Sequence, residues 1–188
     1  MTRIPVLDRD DMDANQQAVF DKVAKNNART GFGPAIGYAY SAEVWRLHNE
    51  SSAHLLDCSL TNAQVRIISL LTVRHWNAPY PWSAQAKTAI KAGLESDIVE
   101  AINAGEDPPF KNSKDTAVHT AARELLATGS LSPESFDAAA ETLGYKTVVE
   151  IVATIGHFCT TAMMANVVGV EPTADAVSHL KRFTGNNS

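Results

Sequence analysis

The sequence predicts an all-α protein. Apolar residues recur at three- and four-residue spacing along most of the chain. No run alternates with period two. The periodic segments are bracketed by cap residues at their starts and glycines at their ends. At 188 residues the chain is long enough for one sizeable core. A hydrophobic share of 45% with 20% charged residues is ordinary for a globular domain.

Residues 13–25 carry Ala14, Ala18, Val19, Phe20 and Val23 among charges, the pattern of a half-buried helix. The segment NNARTGFGPAIGYAY, residues 26–40, is a glycine-rich break. No strand precedes Gly31, Gly33 and Gly37, so they are not a dinucleotide fingerprint. Ser41 is expected to cap a helix running to about residue 57. Thr61 or Asn62 caps the next, over 63–76, whose run VRIISLLTV suits a core helix. Pro79 and Pro81 interrupt the pattern. Pro81 fits the first turn of a helix that ends near residue 92, before Gly93.

A short helix over 95–104 stops at Gly105, and EDPPF is a loop. Residues 113–127 form a helix ended by Gly129. Ser132 caps the following one, with Pro133 in its first position and Gly144 as its stop. Residues 147–168 make a long helix rich in Val, Ile and Ala, closed by Pro172, and the tail TGNNS frays.

The net charge of −5 and pI near 5.6 give no electrostatic reason to expect nucleic acid or an anionic membrane as a partner. No apolar run is expected to reach the length of a bilayer-spanning helix. The N-terminus lacks the apolar core and small-residue site of a secretory signal. Cys58 and Cys159 lie far apart, and C-x-x-C is absent. The expectation is two reduced, buried thiols in a cytoplasmic protein. No H-x-x-x-H, H-E-x-x-H or His/Cys pair at ligand spacing occurs, so no metal site is expected.

Residues 73–94 read VRHWNAPYPWSAQAKTAIKAGL. The run RHWNAPYPW, then Ala89, then AGL at 92–94, resembles cysteine-free members of the carboxymuconolactone decarboxylase and alkylhydroperoxidase-D-like superfamily. VVEIVATIGHFCTTAMMANVVGVEP, residues 148–172, resembles that superfamily's last helix, with a Glu near its start and an Asn near its end. The resemblance implies an alkylhydroperoxidase-D-like helical bundle over 34–172. An N-terminal helical arm, 1–33, precedes it and a C-terminal tail, 173–188, follows. It also implies homo-oligomers, typically trimers or hexamers, and a small-molecule substrate.

In the superfamily's redox members a glutamate lies twelve positions before the first cysteine. The second cysteine follows three later and a histidine four after that. Aligned through Tyr80, Trp82 and Gly93, those positions are Arg66, Ala78, Pro81 and Gln85. No thiolate can form there, so thiol peroxidase chemistry is not expected at this site. Gln85 also stands where decarboxylase-like members keep a histidine, and an amide does not carry a proton at neutral pH. Arg66 is a permanent cation, suited to a substrate carboxylate or enolate. Gln85 can hydrogen-bond a carbonyl. The alternative is that Arg66 pairs with a nearby acid and Gln85 satisfies backbone.

The long helix offers a second set. Thr147, Glu150, Thr154, His157 and Thr161 share one face. His157 is the candidate general acid or base, and Glu150 its orienter or a second proton carrier. The rival reading is a satisfied core network or a subunit interface. His75 ends the helix that carries Arg66, nine positions away and on the opposite face. It reads as a helix-dipole partner or a pocket residue. Tyr80 and Trp82 bracket Pro81, either lining a ligand pocket or plugging the start of the helix.

The leading expectation is a cofactor-free enzyme of the lyase or isomerase type. Decarboxylation, isomerisation or cyclisation of a small carbonyl or carboxylate compound would fit. His157, Glu150 and Arg66 are its catalytic candidates, and Gln85, Tyr80, Trp82 and His75 its binding candidates. The rival is a non-catalytic member that binds a small molecule or a protein.

Overall fold

The computed structural model describes residues 2–25 and 31–181. A short 3-10 turn, Arg9–Asp11, leads into α1 (Ala14–Lys25) and α2 (Ala35–Tyr38). Then come α3 (Ala42–His54), α4 (Asn62–His75), α5 (Pro79–Lys91) and α6 (Ser96–Ala104). The chain continues with α7 (Ser113–Thr128), α8 (Pro133–Leu143) and α9 (Tyr145–Val168). The described residues contain no strand.

Local chemistry explains most boundaries. The Thr61 hydroxyl accepts from the Gln64 N–H at 3.2 Å, and Gln64 Oε1 accepts from the Thr61 N–H at 3.0 Å. This reciprocal box starts α4. Asn112 and Ser132 cap α7 and α8 through their side chains. Gly105, Gly129 and Gly169 end α6, α7 and α9 in the left-handed conformation.

Four boundaries differ from the sequence reading. Ser41 precedes α3, but its side chain makes no capping bond. Both Pro79 and Pro81 lie inside the first turn of α5, where no N–H is needed. The glycine-rich segment holds the short helix α2. Gly169, not Pro172, closes α9. The first part of the glycine-rich break, 26–30, and the TGNNS tail lie outside the described residues.

The core forms around α4. Val65, Ile67, Ile68, Leu70 and Val73 are buried, because α5, α6, α7 and α9 pack around this helix. Removing such a side chain, as in Ile68→Ala, costs about 2–5 kcal/mol. A smaller cluster, with Met12, Val23, Tyr38 and Trp45, ties the N-terminal arm to α2 and α3. The segment after α9 docks as well. Ser178 Oγ accepts from Trp82 Nε1 at 3.2 Å and donates to Glu100 at 2.8 Å.

By length and composition α9 is apolar enough to cross a membrane, which corrects the expectation that no run reaches that length. In this fold one of its faces packs on α4, α7 and α8 instead.

Candidate functional site

Arg66 on α4 and Gln85 on α5 meet side by side. Arg66 Nη1 donates to Gln85 Oε1 at 2.8 Å. One turn earlier, Asn62 Oδ1 accepts from Arg66 Nε at 3.3 Å. Both partners are neutral. No carboxylate among the described residues forms an ion pair with Arg66. The guanidinium is half-buried, and burial lowers its pKa from the ordinary value. A desolvated cation with no counter-charge is the main electrostatic feature here.

α9 and α3 bring the remaining groups. A cavity of about 200 Å³ is lined by Arg66, Gln85, His157, Thr161, His48 and Ser52, with apolar walls from Leu55, Val65 and Phe158. Ser51 Oγ lies 3.1 Å from His157 Nδ1, leaving Nε2 as the uncommitted ring nitrogen. The His157 ring lies flat on His48, with centroids 4.3 Å apart and planes 12° from parallel. His48 in turn stacks on Tyr38 at 4.2 Å.

The stack is neutral at physiological pH. Burial, then His48, then Arg66 push the His157 pKa down to about 3. Burial alone takes His48 down to about 4, and burial, partly offset by Thr161, takes Tyr38 up to about 12. The Tyr38 hydroxyl has no hydrogen bond of good geometry among the described residues, with Thr161 as a loose polar neighbour. Thr161 is committed to the His157 carbonyl at 3.0 Å. Among the described residues, Arg66 therefore supplies the one formal charge in the cavity lining.

The other sequence candidates sit elsewhere. Glu150 is buried one flank away, accepting from the Ser59 N–H at 2.8 Å with Lys146 at 3.7 Å. Burial pushes its pKa up, but the Ser59 hydrogen bonds and the Lys146 charge outweigh this and hold it below the ordinary value. It tethers the α3–α4 loop and does not line the cavity. Tyr80 lines a larger chamber, about 680 Å³, that shares His48 with the first. Gly33, at φ 58°, lies under the Tyr80 ring, and any Cβ there would collide with it. Trp82 is fully buried in the core. His75 is exposed beside Trp76 and lines a third cavity with Arg74, His119 and Arg123.

Ala78 and Pro81 are buried and offer no reactive group. Both thiols are free and half-buried rather than fully enclosed. Cys159 accepts from Trp76 Nε1 at 3.1 Å, and Cys58 lies 3.5 Å from the Leu55 carbonyl. Neither lines the Arg66 cavity. Among the described residues no group of three or more His, Cys, Asp or Glu side chains gathers.

Sequence reasoning missed Tyr38, His48 and Ser51. Their spacing within α2 and α3 carries no signal, because their partner His157 lies on α9.

No family model matches the chain, and no curated protein matches it. Among solved structures it is similar to an alkylhydroperoxidase AhpD core, an uncharacterized peroxidase-related protein from Ralstonia eutropha JMP134. The two share 16% identity over 93% of each chain, with a TM-score of 0.72. The chain has the alkylhydroperoxidase-D-like fold.

Proposed function

We propose, from this fold and from what replaces its thiol positions, that the protein is a proton-transfer enzyme for a small carboxylate or carbonyl compound. The observation that carries this is the Arg66 cation. It is half-buried, has only neutral hydrogen-bond partners among the described residues, and shares a cavity of about 200 Å³ with His157. An anion entering that cavity would meet a guanidinium already desolvated, and the pairing would be stronger than at a surface.

The protonation state selects the order of events. His157 is neutral, so it begins as a base. Its Nε2 takes a proton from a carbon beside the substrate carbonyl. The C–H electron pair becomes the enolate double bond, and the charge moves to oxygen. Arg66 and the Gln85 amide N–H hold that oxyanion. In a substrate whose enolate is conjugated with a further carbon–carbon double bond, return of the proton from His157 to the far end of that dienolate completes an isomerisation, and return to the same carbon gives simple exchange. The substrate's own negative charge offsets Arg66, which raises the His157 pKa toward a useful value.

The experiment is deuterium exchange at the α-carbon of small 2-oxo acids in D2O, followed by proton NMR. Exchange is expected with the wild-type protein and lost in His157→Gln, which should still bind the acid. Exchange that survives in His157→Gln at the wild-type rate sinks the assignment.

A further inference from the structure

The third cavity, about 190 Å³ between α4, the end of α6 and α7, holds a buried histidine that the chemistry at Arg66 does not use. His119 on α7 is 5% exposed and lines this cavity. Its ring packs on Phe110, with centroids 5.4 Å apart. Among the described residues no hydrogen bond reaches the ring. Buried polar atoms without a partner are unfavourable, and nearly all in folded proteins find one. A molecule in the cavity would supply it.

The walls around His119 are cationic. Arg74, in the last turn of α4, donates from Nε to the Asn103 carbonyl at 3.0 Å, and burial lowers its pKa from the ordinary value. Arg123 lies one turn after His119 on the same face of α7. Its Nη1 donates to Asp107 at 2.6 Å, but the two side chains are 56% and 82% exposed. Exposed pairs contribute little, so Arg123 can turn to a bound anion at small cost. Glu106 is the one acidic residue in the described lining, and exposed His75 is its other titratable group. Two guanidiniums against one carboxylate leave the wall positive. The helix dipole accounts for basic residues at the end of α4, but His119 and Arg123 stand inside α7.

We propose that this cavity binds a small oxyanion of the phosphate type, held by Arg74 and Arg123 with the His119 ring N–H as the buried donor. Phosphate matches the donor set, because its oxygens point in several directions and can meet two guanidiniums and an imidazole together. A carboxylate offers a single planar edge. The volume admits inorganic phosphate or a phosphomonoester with a short carbon chain. The site is separate from the Arg66 cavity. The described linings share no residue, and Arg66 and Arg74 lie about 12 Å apart along α4.

The test is a titration of inorganic phosphate into the full chain at pH 7, following the His119 ring protons by NMR, with His119→Gln to assign them. Those signals should shift saturably. Arg123→Gln should weaken phosphate about tenfold or more. Arg74→Gln should remove the response while keeping its helical circular dichroism. Arg123→Glu, a charge reversal at an exposed side chain, should also remove it, and it decides the matter if Arg74→Gln does not fold. Arg66→Gln should change nothing. Acetate should bind about tenfold more weakly than phosphate, or worse. Glycerol 3-phosphate binding more tightly than phosphate identifies a phosphomonoester ligand, and weaker binding identifies the free ion. The proposal is overturned by signals that do not shift saturably, or by full affinity in both Arg123 variants. A response lost in Arg66→Gln, or acetate binding as tightly as phosphate, overturns it too.

Discussion

The Arg66 guanidinium donates to the Gln85 side-chain carbonyl at 2.8 Å, across the α4–α5 interface. These are the positions where redox members of the resembled superfamily place a glutamate and a histidine. At these aligned positions this chain carries a cation in place of an acid and an amide in place of a titratable ring. The pair is now a fixed cation oriented by a neutral amide.

Gln85→Glu tests that reading. It puts a carboxylate where Arg66 already donates, closing the cation's vacancy with an internal ion pair. Affinity for a small carboxylate should fall at least tenfold, by calorimetry. Gln85→Asn, which adds no charge, should lose less. Equal losses in both would mean that charge at Arg66 does not govern binding.

His48 is the wall shared by the two chambers. His48→Ala should join them and admit carboxylates with phenyl-sized bodies that the smaller cavity rejects. His48→Phe keeps a flat stacking surface and should retain the size limit. An unchanged selectivity in His48→Ala would remove His48 from the site.

Glu150 shows how far sequence periodicity reaches. Spacing along α9 placed Thr147, Glu150, Thr154 and Thr161 on one face, and all four are buried. It could not say what they touch. The Thr154 and Thr161 hydroxyls donate to carbonyls one turn back, and Glu150 reaches a loop ninety-one residues away. Glu150→Gln should weaken the charge-assisted bond to Ser59 and destabilise the fold by about 1–3 kcal/mol. Carboxylate binding should persist. Loss of binding with unchanged stability would instead return Glu150 to the chemistry.

The helices themselves were legible because their signals are local. The Thr61–Gln64 box, Pro133 and the terminal glycines each act within a turn or two. Long-range partners are not. His48 stacks between Tyr38 and His157, residues from three helices, and no spacing on α3 announces it. Trp82 shows the same limit, since an aromatic near a helix start reads alike whether it meets a ligand or Ser178.

Acid should destabilise the protein through its buried histidines. His48, His119 and His157 have folded pKa values of about 4, about 4 and about 3, against 6.5 when unperturbed. Each is lowered, so the unfolded chain accepts a proton that the folded chain rejects. Above pH 6.5 neither state takes it and stability is full. Between 6.5 and about 4 the unfolded state is protonated first, and stability falls with pH. Tm should drop across that window. His119→Gln, remote from the Arg66 cavity, should give a shallower drop. A slope identical to wild type would contradict the buried neutral state of His119.

The most direct test of the central claim is a calorimetric titration of pyruvate into wild type and Arg66→Gln. Saturable binding in wild type, weakened about 30-fold or more by Arg66→Gln, is the expected result for a desolvated charge-assisted contact worth ~2–3 kcal/mol. Equal binding to both proteins, or none to wild type, would contradict a carboxylate site at Arg66.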